Sequence, residues 1–140
     1  MNVYVDSSVV LRIVLGEPGA LPSWRRIQRA ISSHLVRLEC LRTIDRARLR
    51  LALADGEVAE RRAAVLEVLE GFDMVPIDAA VLERAADPFP TSLGSLDAVH
   101  LASALQVRSR IPDVRLATHD AELAIAARAV GFAVLGVAFR

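Results

Sequence analysis

Lysine is missing from this chain: its 17 basic residues are all arginine. No Gly-Lys pair exists to build a P-loop, and no Gly-x-Gly opens a dinucleotide-binding turn, so two common ways of cradling phosphate are excluded. The same lack argues against a receiver-type phosphoryl-transfer site, which gathers acids and Mg²⁺ at strand ends but needs a lysine beside the phosphoryl group. A single cysteine, Cys40, leaves no internal disulfide and reads as a small core residue. No apolar run approaches the ~20 residues that span a bilayer. The first residues lack the basic region and separate apolar core of a signal peptide. A cytoplasmic location without a membrane partner is the expectation. With no repeat, low-complexity tract or long Gly/Ser linker, residues 1–140 read as one domain.

What is present is apolar and unevenly charged. Hydrophobic residues make up 54% of the chain, which suggests elements buried on two faces. Formal net charge is zero, yet residues 25–50 carry eight arginines against Glu39 and Asp45, and residues 51–90 carry nine acids against three arginines. Such asymmetry marks either a phosphate-binding face or a solvated helix face.

Residues 2–17, NVYVDSSVVLRIVLGE, pass from a strand pattern to a helix pattern. Val3, Tyr4 and Val5 suit a buried strand, and Val9, Val10, Ile13 and Val14 recur at helical spacing. Further along, the patterns predict helices over 8–15, 21–31, 35–54, 57–70, 78–86, 96–108 and 120–131, with strands at 2–5, 73–77, 114–118 and 132–137. Alternating strands and helices predict an α/β fold with a parallel sheet covered on both sides.

Acids stand at the ends of these elements. Asp6 follows the first strand, Asp97 lies in the first turn of its helix, and Asp120 lies just past the strand at 114–118. Each has a plain alternative as a helix cap or first-turn acid, with Ser95 as the cap that leaves Asp97 free. Glu39 has no capping role, because it lies inside a helix. There Val36, Cys40, Ile44, Ala47 and Leu51 form an apolar stripe, and Glu39, Arg42, Arg46 and Arg50 form a second one. Glu39 is then either an exposed partner of Arg42 or an acid aimed at a site with arginines beside it to hold phosphates. In a parallel sheet the strand ends share one edge, so the acids can meet in one crevice. There they repel one another unless a cation is present. Oxygen ligands favour Mg²⁺ or Mn²⁺ over zinc, and such ions serve phosphodiester cleavage.

With these residues in view, the chain resembles the PIN-domain ribonucleases of the VapC type, the toxin half of a bacterial toxin–antitoxin pair. The resemblance rests on VDSSVVLRIVLGE (5–17), LVRLECLRTIDR (35–46), SLDAVHLASAL (95–105) and LATHDAELAIAARAVG (116–131), in that order. It implies a three-layer α/β/α sandwich around a central parallel sheet. It also implies an acidic quartet of Asp6, Glu39, Asp97 and Asp120, both catalytic and metal-binding, with Mg²⁺ or Mn²⁺ as the cofactor. Ser8 and Thr118 fall at polar positions that support the metal site and the substrate phosphate, while Arg42 and Arg46 are read as substrate contacts. RNA as substrate, a cognate antitoxin and a homodimer are the implied partners. The alternative is a PIN-like scaffold that binds RNA or a partner without cutting; the presence of all four acids favours catalysis. A haloacid-dehalogenase-like phosphatase is disfavoured because it needs Asp-x-Asp after the first strand, where this chain has Ser8. His100, one turn after Asp97, reads as a packed core histidine ahead of a support behind the acid site, and Trp24 as a packing anchor ahead of a base-stacking, dimer or antitoxin contact, while His34 and His119 carry no assigned role.

Overall fold

Val3 and Val5 face one side of the first strand and Tyr4 the other, and that alternation divides the core in two. The computed structural model describes residues 1–138. In it, β1 (Asn2–Val5) is the middle of five parallel strands ordered β3-β2-β1-β4-β5, with β2 at Arg29–Ser33, β3 at Asp73–Val75, β4 at Arg115–Ala117 and β5 at Val134–Leu135. On the Val3 face lie α1 (Ser7–Val14), α2 (Leu35–Leu51) and α3 (Asp55–Glu70), which contribute Val9, Val36, Ile44 and Val65 to the core. On the Tyr4 face lie α5 (Ser95–Arg110) and α6 (Ala121–Ala129), which contribute Leu101, Ala104, Leu123 and Ala126. A further helix, α4 (Ala79–Ala86), packs on α5. The result is the three-layer α/β/α sandwich with a central parallel sheet.

The chain runs from β1 outward to β2 and β3, then returns across the sheet to β4 on the other side of β1. Strand order therefore reverses between β1 and β4, and the crevice beyond their carboxyl ends is where open α/β sheets place ligands. Among the described residues no helix is long and apolar enough to cross a membrane.

One predicted helix is absent. Residues 21–31 form a single 3₁₀ turn at Trp24–Arg26 and then enter β2, because the backbone from Arg29 onward pairs with β1 on one side and β3 on the other. Trp24 packs against Phe72 at 6.2 Å, as its reading as an anchor requires. The apolar stripe of α2 is shorter than expected: Val36, Cys40 and Ile44 are buried, Ala47 is half-buried, and Leu51 is exposed where the helix ends in left-handed Ala52. Gly94, not Ser95, is the cap of α5, and Ser95 is its first residue. His34 precedes α2 without capping it through its side chain.

Candidate active site

Asp6 lies at the switch between β1 and β4, where its backbone N–H donates to Ala117 O at 3.2 Å. Its carboxylate is almost wholly buried. Oδ1 accepts from the Ser8 hydroxyl at 2.6 Å and from the Val9 N–H at 3.4 Å, while Oδ2 accepts from the Thr118 hydroxyl at 2.6 Å. The same two hydroxyls accept from the loop after β4: His119 N–H donates to Ser8 Oγ and Asp120 N–H to Thr118 Oγ1, both at 2.9 Å. Every donor in this network has one direction, so the junctions after β1 and β4 are stitched into one unit. Burial pushes the Asp6 carboxyl up, although the Ser8 and Thr118 bonds oppose it.

Asp120 caps α6, accepting from Leu123 N–H at 2.9 Å. Asp97 lies in the first turn of α5. Its carboxyl is pushed up to about 6, first by burial, then by the charges of Asp120 and Asp6, with Glu39 adding to them. Asp97 therefore lies within electrostatic reach of the other three acids, Asp6, Glu39 and Asp120, at the carboxyl edge of the sheet.

Glu39 does not pair with Arg42, which instead bridges to Asp45 at 3.1 Å. Its Oε1 meets Nε2 of His100 at 2.5 Å, and Nδ1 of the same ring meets Tyr4 Oη at 2.8 Å. Burial works against a charge on this imidazole, but Tyr4 and Glu39 outweigh it and hold the ring's pKa up to about 10. His100 is thus buried, as expected of a core residue, and also bonded to one of the four acids. Sequence reading ranked a supporting role for His100 below core packing, and gave Tyr4 no role beyond its strand. The signal was the spacing, since His100 is three residues from Asp97 on the same helix face and Tyr4 is two residues before Asp6.

From Glu39 a groove of about 400 Å³ runs along α2, lined by Ser7, Leu38, Arg42, Arg46 and Leu96 among others. Arg42 and Arg46 are exposed, and Arg46 makes only a long bond of 3.4 Å to Thr43. An exposed pair such as Arg42–Asp45 is worth only about 0.2–1 kcal/mol, so a phosphate can displace it.

A PIN-domain family model matches residues 3–129. The chain belongs to the PIN-domain family. This PIN domain is 33% identical over 136 residues to Ribonuclease VapC46 of Mycobacterium tuberculosis strain H37Rv, with 95% of each chain covered. It is 30% identical over 137 residues to Ribonuclease VapC47 of strain CDC 1551, with 93% of each covered. These relatives place it among the VapC-type PIN proteins. Its fold is shared with a chain of a toxin–antitoxin complex from Klebsiella pneumoniae, at TM-score 0.62 and 16% identity, covering 89% of this chain and 91% of that one. PAE2754 from Pyrobaculum aerophilum shares it as well, at TM-score 0.65 and 18% identity, covering 96% of this chain and 83% of that one.

Among the described residues of this PIN domain, no three His, Cys, Asp or Glu side chains already form a metal cage. The donor chemistry nonetheless fits a hard divalent cation: the four acids offer only oxygens, and their repulsion, visible in the raised Asp97 carboxyl, is what such a cation neutralises. Cys40, the one soft donor nearby, is buried, and burial together with the charges of Glu39 and Asp6 pushes its thiol up to about 12. In the metal-free fold Cys40 therefore presents no thiolate, and the carboxylate oxygens are the donors on offer.

Proposed function

We propose that residues 1–140 act as one nuclease domain, an endoribonuclease that cuts RNA phosphodiester bonds with Mg²⁺ or Mn²⁺ held by Asp6, Glu39, Asp97 and Asp120. The observation that carries the reading is that Asp97 feels the charges of Asp6, Glu39 and Asp120, acids from three other segments, near the β1/β4 switch. The relatives are ribonucleases by name, which supports RNA as the substrate. When bound, the metal supplies a water of lowered pKa and stabilises charge on the leaving oxygen. The chain's own residues do the rest. Ser8 and Thr118 each give their one hydroxyl proton to Asp6, so they hold that carboxylate in one rotamer and support the metal site, and in this arrangement neither has a donor left for a substrate phosphate. Arg42 and Arg46 offer guanidinium forks to the RNA backbone along the α2 groove.

As a VapC-type protein this PIN domain is read as a toxin that works in the cytoplasm, as a homodimer restrained by a cognate antitoxin. The Klebsiella neighbour, described as a toxin–antitoxin complex, supports the antitoxin in that reading.

Purified protein should cleave RNA with Mg²⁺ or Mn²⁺ and stop on addition of EDTA. Asp6→Asn and Asp97→Asn should remain folded and lose more than about 100-fold in cleavage rate, beyond the range that loss of a ligand's outer partner alone reaches. Cleavage that survives complete chelation would sink the metal mechanism. RNA binding without cleavage at saturating Mn²⁺ would make the chain a non-cutting binding module instead.

A further inference from the structure

Glu39 poses a problem of order. It projects from mid-helix in α2, with three rotatable bonds before its carboxylate and no helix end to fix it. Asp6 and Asp120 are pinned by hydroxyls and helix amides; Glu39 has neither. What it has is the His100 ring. The imidazole is 1% exposed, both its nitrogens are engaged, and its plane stands nearly edge-on to Tyr4, at 74°. Behind it, Tyr4 Oη accepts from the Ser33 backbone N–H at 3.2 Å. Ser33 ends β2 and Tyr4 belongs to β1, so this chain of bonds starts in the sheet backbone and finishes on Glu39 Oε1. Nε2 donates to Oε1 whether the ring is neutral or charged, and Oε2 is left for other partners.

We propose that His100, backed by Tyr4, is a positioning residue that orients the Glu39 carboxylate toward the acid cluster while touching neither metal nor RNA itself. The inference rests on reading Glu39 as a metal ligand. A ligand that must find its rotamer at each binding event holds the ion less well than one already oriented, and outer hydrogen bonds to ligands commonly change metal affinity by about 10–100-fold. A histidine that merely fills the core predicts something else: its loss lowers stability and leaves metal affinity alone.

The test is calorimetric titration of Mn²⁺ into the metal-free protein, with urea unfolding run on the same samples. His100→Leu should weaken Mn²⁺ by about tenfold or more. His100→Gln, whose amide N–H replaces the Nε2 donor, should recover most of that loss. Tyr4→Phe keeps the imidazole but removes its anchor, and should fall between wild type and His100→Leu. Glu39→Gln is the reference. If it binds Mn²⁺ as wild type does, Glu39 is no ligand and both readings fall. If Glu39→Gln weakens binding while folded His100→Leu does not, the positioning role alone is overturned. Should His100→Leu fail to fold, Tyr4→Phe decides: unchanged Mn²⁺ affinity there overturns the proposal.

Discussion

Asp6, Asp78 and Asp120 each accept a hydrogen bond from the backbone three residues on, yet they are not equivalent. At Asp78 and Asp120 the bond is 2.9 Å; at Asp6 it is 3.4 Å, because both Asp6 oxygens are also taken by hydroxyls. Asp78 is exposed, and its cap bond to Val81 N–H holds its carboxyl below the usual value, as a helix N-terminus should. Asp6 moves the opposite way under burial. A cap that is long, desolvated and held by hydroxyls has a use other than capping. Asp97 feels the same crowding. Its folded-state pKa, about 6, lies above the ordinary value of 3.8, so between those two pH values the folded metal-free protein holds a proton that the unfolded chain has released. The associated stability is fully present below the unfolded value and is lost as pH rises through about 6; the raised Asp6 carboxyl acts with the same sign. Urea unfolding in EDTA should accordingly show stability falling between pH 4 and pH 6.5 by more in wild type than in Asp97→Asn. An identical slope in the two proteins would mean that Asp97 is not crowded.

At the scale of elements, β2 shows what a local pattern cannot supply. Ile27 and Ile31 are spaced as a helix would space them, and of the strand's residues only Ile31 is β-branched and apolar, so the local preference is weak. The strand exists because β1 and β3 offer it hydrogen bonds from both sides, and both lie far away in sequence. The four acids were legible for the opposite reason. Asp6, Asp97 and Asp120 sit at junctions written into neighbouring residues, and Glu39 stood out by having no junction to explain it. The His100–Glu39 bond joins residues 61 apart and was invisible for the same reason as β2. The turn after β5 supports the site in another way. Gly136 has φ +100°, and a Cβ there would run into the carbonyl oxygen of Thr118. Thr118 N–H is bonded to Leu135 O at 3.0 Å, so the backbone has no room to retreat. Gly136→Ala should cost about 1–3 kcal/mol by chemical denaturation. It should also slow cleavage in the fraction that stays folded, since Thr118 holds Asp6. Wild-type stability in that variant would show that the turn yields freely.

The whole molecule is electrically neutral but not evenly so, with arginines gathered around α2 and acids around α3 and α4. A backbone contact from an arginine releases a counterion, so binding of single-stranded RNA should weaken with salt, by about 0.7 in slope of log affinity against log salt for each phosphate engaged. In an Asp6→Asn background that leaves RNA uncut, Arg42→Ala and Arg46→Ala should each lower that slope by about that amount, measured by fluorescence anisotropy. Unchanged slopes would take the RNA path off the α2 groove. The strand order described above has one more consequence, and it concerns time. Residues 6, 39, 97 and 120 emerge from the ribosome in that order, and β4 must slide in beside β1 before the last acid meets the first. With the four acids acting together as proposed, a chain still being translated has no complete cluster until β4 and Asp120 have left the ribosome, so cutting begins only when nearly all of the fold has been made.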